Sequence, residues 1–121
     1  MNIEAALKTA MSIEGALGAA LVDYGSGMAL GAVGGGRELD LEVAAAGNTE
    51  VVRAKLRTLA SLQLDDEIED ILITLKDQYH IIRLLATPGA QLFLYLVLSR
   101  ERANLALARF GLKRIEREIA L

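Results

Sequence analysis

Few side chains in this 121-residue sequence could carry chemistry, and their spacing limits what that chemistry can be. His80 is the only imidazole, and cysteine is absent. That removes disulfides, thiolate metal sites and cysteine nucleophiles. A lone histidine on an expected strand, with no second imidazole or thiolate beside it, reads as a structural residue rather than a base or ligand. No Ser/His/Asp cluster offers hydrolysis. The run Gly34-Gly35-Gly36 could present amides to a phosphate, but no Lys-Ser/Thr pair follows it, and Arg37 is a poor substitute. It reads as a flexible loop, and Gly25-Ser26-Gly27 as a hairpin turn. Asp65, Asp66, Glu67, Glu69 and Asp70 supply carboxylates, yet lack the alternating ligand positions, central glycine and closing glutamate of a calcium loop. They read as a solvated acidic surface that could face a basic partner. Tyr24, Tyr79 and Tyr95 show no pairing that suggests catalysis. No catalytic residue, cofactor site or metal site is expected, and the chain is read as a non-enzyme.

Composition agrees with a module that binds rather than reacts. Hydrophobic residues make up 53% and charged residues 24%, too apolar for a disordered chain. The length suits one domain over residues 1–121. Aromatics are 4% with no Trp, so base-stacking platforms are scarce, and the net charge of -3 opposes generic phosphate binding; no nucleic-acid partner is expected. The charge is uneven. Residues 1–98 carry 7 basic and 13 acidic groups, and residues 99–121 carry 6 basic and 3 acidic. A basic C-terminal helix complements its own macrodipole. Glu4 stands where a secretory leader would need positive charge. The glycine-rich stretch 15–36 is a poor membrane helix. A cytoplasmic protein without membrane insertion is expected.

These residues must be positioned by a small set of elements. Ile3, Ala6, Leu7, Ala10 and Met11 form one apolar stripe and predict a helix over residues 2–13. Residues 16–23 and 28–33 read as a hairpin around the glycine turn. Residues 40–63 read as a long helix with Leu41, Ala45, Asn48, Val52, Leu56 and Leu59 on its packing stripe. A second stripe is small: Gly47, Ala54, Thr58 and Ser61, with Val43 and Glu50 in line. Gly47 disfavours a helix, so either the close approach of another backbone or a kink is expected there. Residues 71–75, 79–86 and 92–98 read as three strands, the last two divided by Thr87-Pro88-Gly89. Residues 99–118 read as the closing helix, starting at Arg100 and Arg102 and packing through Ala103, Ala106, Leu107 and Phe110. The fold class is α+β, layered α/β/α. Its five-stranded, mainly antiparallel sheet carries helices on both faces, in the order α-β-β-α-β-β-β-α.

The stretch Ile13-Glu14-Gly15-Ala16-Leu17-Gly18-Ala19-Ala20-Leu21-Val22-Asp23, followed by Gly25-Ser26-Gly27-Met28, resembles the opening hairpin of the roadblock/dynein light-chain family in its bacterial branch. Residues 65–74 resemble the acidic entry to that family's third strand, and residues 79–85 its fourth. Phe93 to Leu98, with Asn104-Leu105-Ala106 and the final helix, completes the pattern. The resemblance spans nearly the whole chain. It implies a dimer in which third strands pair edge to edge into a ten-stranded sheet and second helices lie side by side. It also implies a link to small Ras-like GTPases, as regulator or scaffold.

The residues support a dimer on their own account. An exposed apolar edge strand is an aggregation hazard, and a symmetry mate would remove it. A small-residue stripe would let two helices cross closely. The expected dimer interface is Gly47, Ala54, Thr58, Ser61, Ile68, Ile71, Leu72 and Ile73. Arg53 and Arg57 are the expected contacts for a partner on the helical platform. The expected function is a homodimeric module that binds, regulates or scaffolds a small GTPase. The alternative is a structural subunit of a signalling or motility assembly that is indifferent to nucleotide state.

Overall fold

The computed structural model describes residues 1–120. The elements are α1 (Ile3–Met11), β1 (Ala16–Asp23), β2 (Met28–Gly34), α2 (Leu41–Ser61), β3 (Asp70–Thr74), β4 (Gln78–Leu84), β5 (Leu92–Ser99) and α3 (Leu105–Glu118). Each helix begins where a short polar side chain satisfies an orphan amide. Asn2 accepts from the Ala5 N–H at 2.8 Å, Asp40 from those of Glu42 and Val43 at 3.0 and 3.1 Å, and Asn104 from that of Leu107 at 3.1 Å.

The Asn104 cap corrects the expected start of the last helix. Ser99 still belongs to β5, and Arg100 and Arg102 lie in the turn that follows rather than in the first helical turn. The packing face is corrected too. Ala108, Leu112 and Ile115 are buried, whereas Leu107 and Phe110 are 63% and 55% exposed. Leu105, Ala108, Leu112 and Ile115 form a second stripe at helical spacing, and that stripe is the one that packs on the sheet.

The sheet runs β2-β1-β5-β4-β3, with every neighbouring pair antiparallel. β5 is central and buried along Leu92–Leu98, because both of its faces are covered. On one face, Leu21, Leu94, Leu96 and Leu98 pack with Leu7 of α1 and with Leu112 and Ile115 of α3. On the other, Val22, Phe93, Tyr95 and Val97 pack with Leu41, Ala45 and Val52 of α2. The Gly34-Gly35-Gly36 run closes the hairpin with positive φ at all three positions. A Cβ on Gly34 would sit 2.7 Å from the Leu17 carbonyl oxygen, a route closed to other residues. Among the described residues, no helix is long and apolar enough to cross a membrane.

One charged cluster ties the β3 edge to the rest. Arg83 of β4 is 7% exposed, and its guanidinium bonds the Glu116 carboxylate of α3 from Nη2 at 2.9 Å and from Nε at 3.0 Å. Asp70, directly opposite Arg83 in the β3–β4 register, lies 3.8 Å from Nη1 and accepts from the Arg109 Nε at 2.8 Å. Glu116 also accepts from the Ala86 N–H at 2.8 Å. Asp70 is therefore not solvated acidic surface, as its place in the acidic run suggested. Its side chain is 9% exposed and neutralised from two sides.

Candidate functional site

β3 is an edge strand, with β4 on one side and, among the described residues, no strand on the other. The Leu75 N–H donates to the Gln78 carbonyl at 2.8 Å, and the Leu84 N–H to the Glu69 carbonyl at 3.2 Å. Antiparallel pairing alternates, so residues 69, 71, 73 and 75 bond β4. The N–H and C=O groups of Asp70, Leu72 and Thr74 consequently point outward from the sheet. Ile71 and Ile73 turn their side chains onto the core beneath α2, and Leu72 lies on the opposite face at 41% exposure. What β3 offers is thus mainly backbone, edged by one apolar side chain.

Beside this edge runs an open groove of about 1290 Å³. Val51, Ala54 and Thr58 of α2 form one wall, and Leu64, Ile68 and Ile71 form the other. The carboxylates of Asp65, Asp66 and Glu67 line its rim. α2 itself is one uninterrupted helix, with Leu41, Ala45, Thr49 and Val52 buried. Gly47, Ala54, Thr58 and Ser61 lie on its outward side, all exposed. A Cβ on Gly47 would meet nothing within 4 Å, so no backbone of this chain approaches it. Val51 was missed in reading this stripe, although it stands four residues after Gly47 and three before Ala54. Ala54, Thr58, Ile68 and Ile71 come together at the groove; Gly47 lines a separate recess nearer the start of α2.

Arg53 and Arg57 occupy another flank of α2. Arg53 donates from Nε to the Tyr24 carbonyl at 3.0 Å and from Nη2 to the Gly25 carbonyl at 2.6 Å. It therefore clamps the β1–β2 turn against α2. Arg57 is exposed and lines the same small recess with Tyr24, Gln91 and Leu56.

The recess near Gly47 holds a polar chain that sequence reading did not find. The Tyr95 hydroxyl and the His80 Nδ1 are 2.9 Å apart, and the His80 Nε2 is 2.9 Å from the Gln78 Oε1. Asn48 of α2 lines the same recess as the Tyr95 hydroxyl. The neutral tautomer fits throughout: the tyrosine O–H donates to Nδ1, and Nε2–H donates to the glutamine oxygen. Burial holds the His80 pKa below its ordinary value and pushes that of Tyr95 up, the second effect opposed by Asn48. A neutral imidazole wedged edge-on to Tyr95, with both nitrogens occupied, is a packing element. Among the described residues, no three His, Asp or Glu side chains converge as a metal site would need.

No family model matches the chain, and no curated protein matches it. Solved structures do. The roadblock/LC7 domain from Streptomyces avermitilis superposes with a TM-score of 0.80 at 11% identity, over 97% of this chain and 93% of that one. MglB from Myxococcus xanthus gives 0.74 at 19% identity, over 94% and 85%. The gliding protein MglB from Thermus thermophilus gives 0.76 at 18% identity, over 93% and 82%. The element order and the five-stranded antiparallel sheet agree along nearly the whole length, so the chain has the roadblock/LC7 fold, as the resemblance in its sequence motifs implied.

Proposed function

We propose that this chain is a non-enzymatic interaction module that forms a two-fold homodimer and, as a dimer, binds a small Ras-like GTPase in bacteria. The observation that carries the reading is the outward hydrogen-bonding edge of β3 beside a groove walled by the small residues of α2. One symmetry operation would cover both. β3 would pair with its copy, and Ala54, Thr58 and Ser61 would let the second helices lie close, with Gly47 extending the seam and Ile68, Ile71, Leu72 and Ile73 at the strand junction. Two copies of α2 would then form a platform flanked by Arg57, with Arg53 holding the adjacent turn. The GTPase is the partner that the family resemblance implies, and the similarity in fold to two MglB structures supports it. The work would take place in the cytoplasm, with neither nucleic acid nor membrane insertion involved.

The test is co-purification with candidate GTPases loaded with GDP or GTP, with hydrolysis and exchange rates followed. Binding that differs between the two nucleotide states, and weakens in Arg57→Glu, is expected. Absence of binding in both states would remove the GTPase reading. A second reading, a structural subunit of a motility or signalling assembly, is favoured by the description of the Thermus neighbour as a gliding protein. It predicts binding that is the same in both nucleotide states.

A further inference from the structure

The outward face of α3 carries a pattern that neither the fold nor the proposed dimer uses. Leu107, Phe110, Arg114 and Arg117 are separated by three, four and three residues. At about 100° per residue they form one stripe, roughly 150° around the helix from the buried Ala108, Leu112 and Ile115. That spacing is the seam of a helix that packs against another helix. Its first half is apolar, with Leu107 and Phe110 both more than half exposed. Its second half is basic, and Phe110, Arg114 and Arg117 line a shallow open recess. The helix macrodipole explains a cation in the last turn. It does not explain an exposed leucine and phenylalanine in the first two.

Charge along the seam is mainly basic: Lys113 flanks it, and its one carboxylate, Glu118, lines the same recess 3.8 Å from Arg114. The other carboxylate of α3, Glu116, is turned inward to Arg83 and the Ala86 amide. We propose that this seam docks an acidic amphipathic helix of a partner protein. Apolar side chains of that helix would meet Leu107 and Phe110, and its carboxylates would meet Lys113, Arg114 and Arg117. A helix suits the field better than an extended polyanion does. Residues 1–98 carry 13 acidic against 7 basic groups and would repel a broad anionic surface such as a membrane. A narrow acidic segment touches only α3, and the body's charge is screened beyond about 8 Å at physiological salt. The seam points away from the sheet, so pairing of β3 edges would leave it open.

The test uses the full chain and a labelled synthetic helix of roughly 18 residues, with leucines along one end of a single seam and glutamates along the other. Binding that weakens with salt is expected in fluorescence anisotropy. Leu107→Gln with Phe110→Gln, and separately Arg114→Glu with Arg117→Glu, should each weaken it at least about tenfold, the scale of central interface residues. A peptide with lysines in place of the glutamates should bind the Arg114→Glu, Arg117→Glu protein, restoring the interaction by charge exchange. No binding by the unaltered protein overturns the proposal, as does binding that either pair of substitutions leaves intact. Retention on equimolar phosphatidylglycerol–phosphatidylcholine vesicles that is lost in the same variants would assign the seam to lipid instead. Self-association lost in them would assign it to a second copy.

Discussion

Two buried polar clusters decide what single substitutions do. Arg83 is buried and neutralised by Asp70 and Glu116, so removing its charge leaves the Glu116 carboxylate with only the Ala86 amide, while Asp70 keeps Arg109. Arg83→Met should therefore cost roughly 3 kcal/mol in urea unfolding; a loss below about 1 kcal/mol would show that water reaches the pair. His80 sets a dependence on pH. Its folded-state pKa is lowered from the ordinary 6.5 by burial, so the unfolded chain takes up the proton first. The stability tied to neutral His80 is complete above pH 6.5 and is lost as pH falls through the folded value. Tyr95, Gln78 and Asn48 face the ring, and Arg37 and Glu38 line the same recess. His80→Gln should flatten the stability profile on the acid side of that ordinary value, read by thermal unfolding from about neutral pH downward; an unchanged slope would place its origin in the carboxylates. The sequence shows His80 as structural but hides its partner. Tyr95 is its diagonal neighbour across the β4–β5 register, and no local pattern reveals a register.

For the elements, α2 and β3 make opposite predictions about the monomer and its assembly. Gly47 sits in mid-helix with open space where a Cβ would go, so Gly47→Ala should stabilise the isolated fold by up to about 1 kcal/mol. Ala54→Arg should break self-association while keeping the single-chain fold, because the residue is exposed on the groove wall, and should lower the melting temperature only by the share that assembly contributes. In β3, the Leu72 N–H points away from β4, so proline there removes no bond within the sheet. Leu72→Pro should keep the circular-dichroism spectrum and abolish the dimer; a dimer that survives it would be built on some other surface. Both β3 and the long helix are legible from periodicity and β-branching. The start of α3 is not, because the apolar run of β5 passes into Ser99 and a polar turn before Asn104 caps the helix. The packing face of α3 is not legible either, because the stripe through Leu107 and Phe110 and the stripe through Leu105, Ala108, Leu112 and Ile115 have equal helical spacing, and only the second meets the sheet.

The whole molecule is a sheet covered on both faces and ending in two edge strands, β2 and β3, and the proposed dimer uses the outer edge of β3. The order of elements can be read from the sequence because β1 and β5 are almost wholly apolar runs and the glycine- and proline-bearing turns separate the strands. That β3 lies at an edge follows from the family resemblance and not from any local pattern, since strand order depends on long-range pairing of β1 with β5. The same two-fold contact that hides the edge would build the helical platform, so assembly and partner binding stand or fall together. The most direct measurement is sedimentation equilibrium of the full chain at micromolar concentration, beside Leu72→Pro. Twice the 13.0 kDa chain mass is expected for the unaltered protein and a single chain mass for the variant. A single chain mass for both would contradict the dimer.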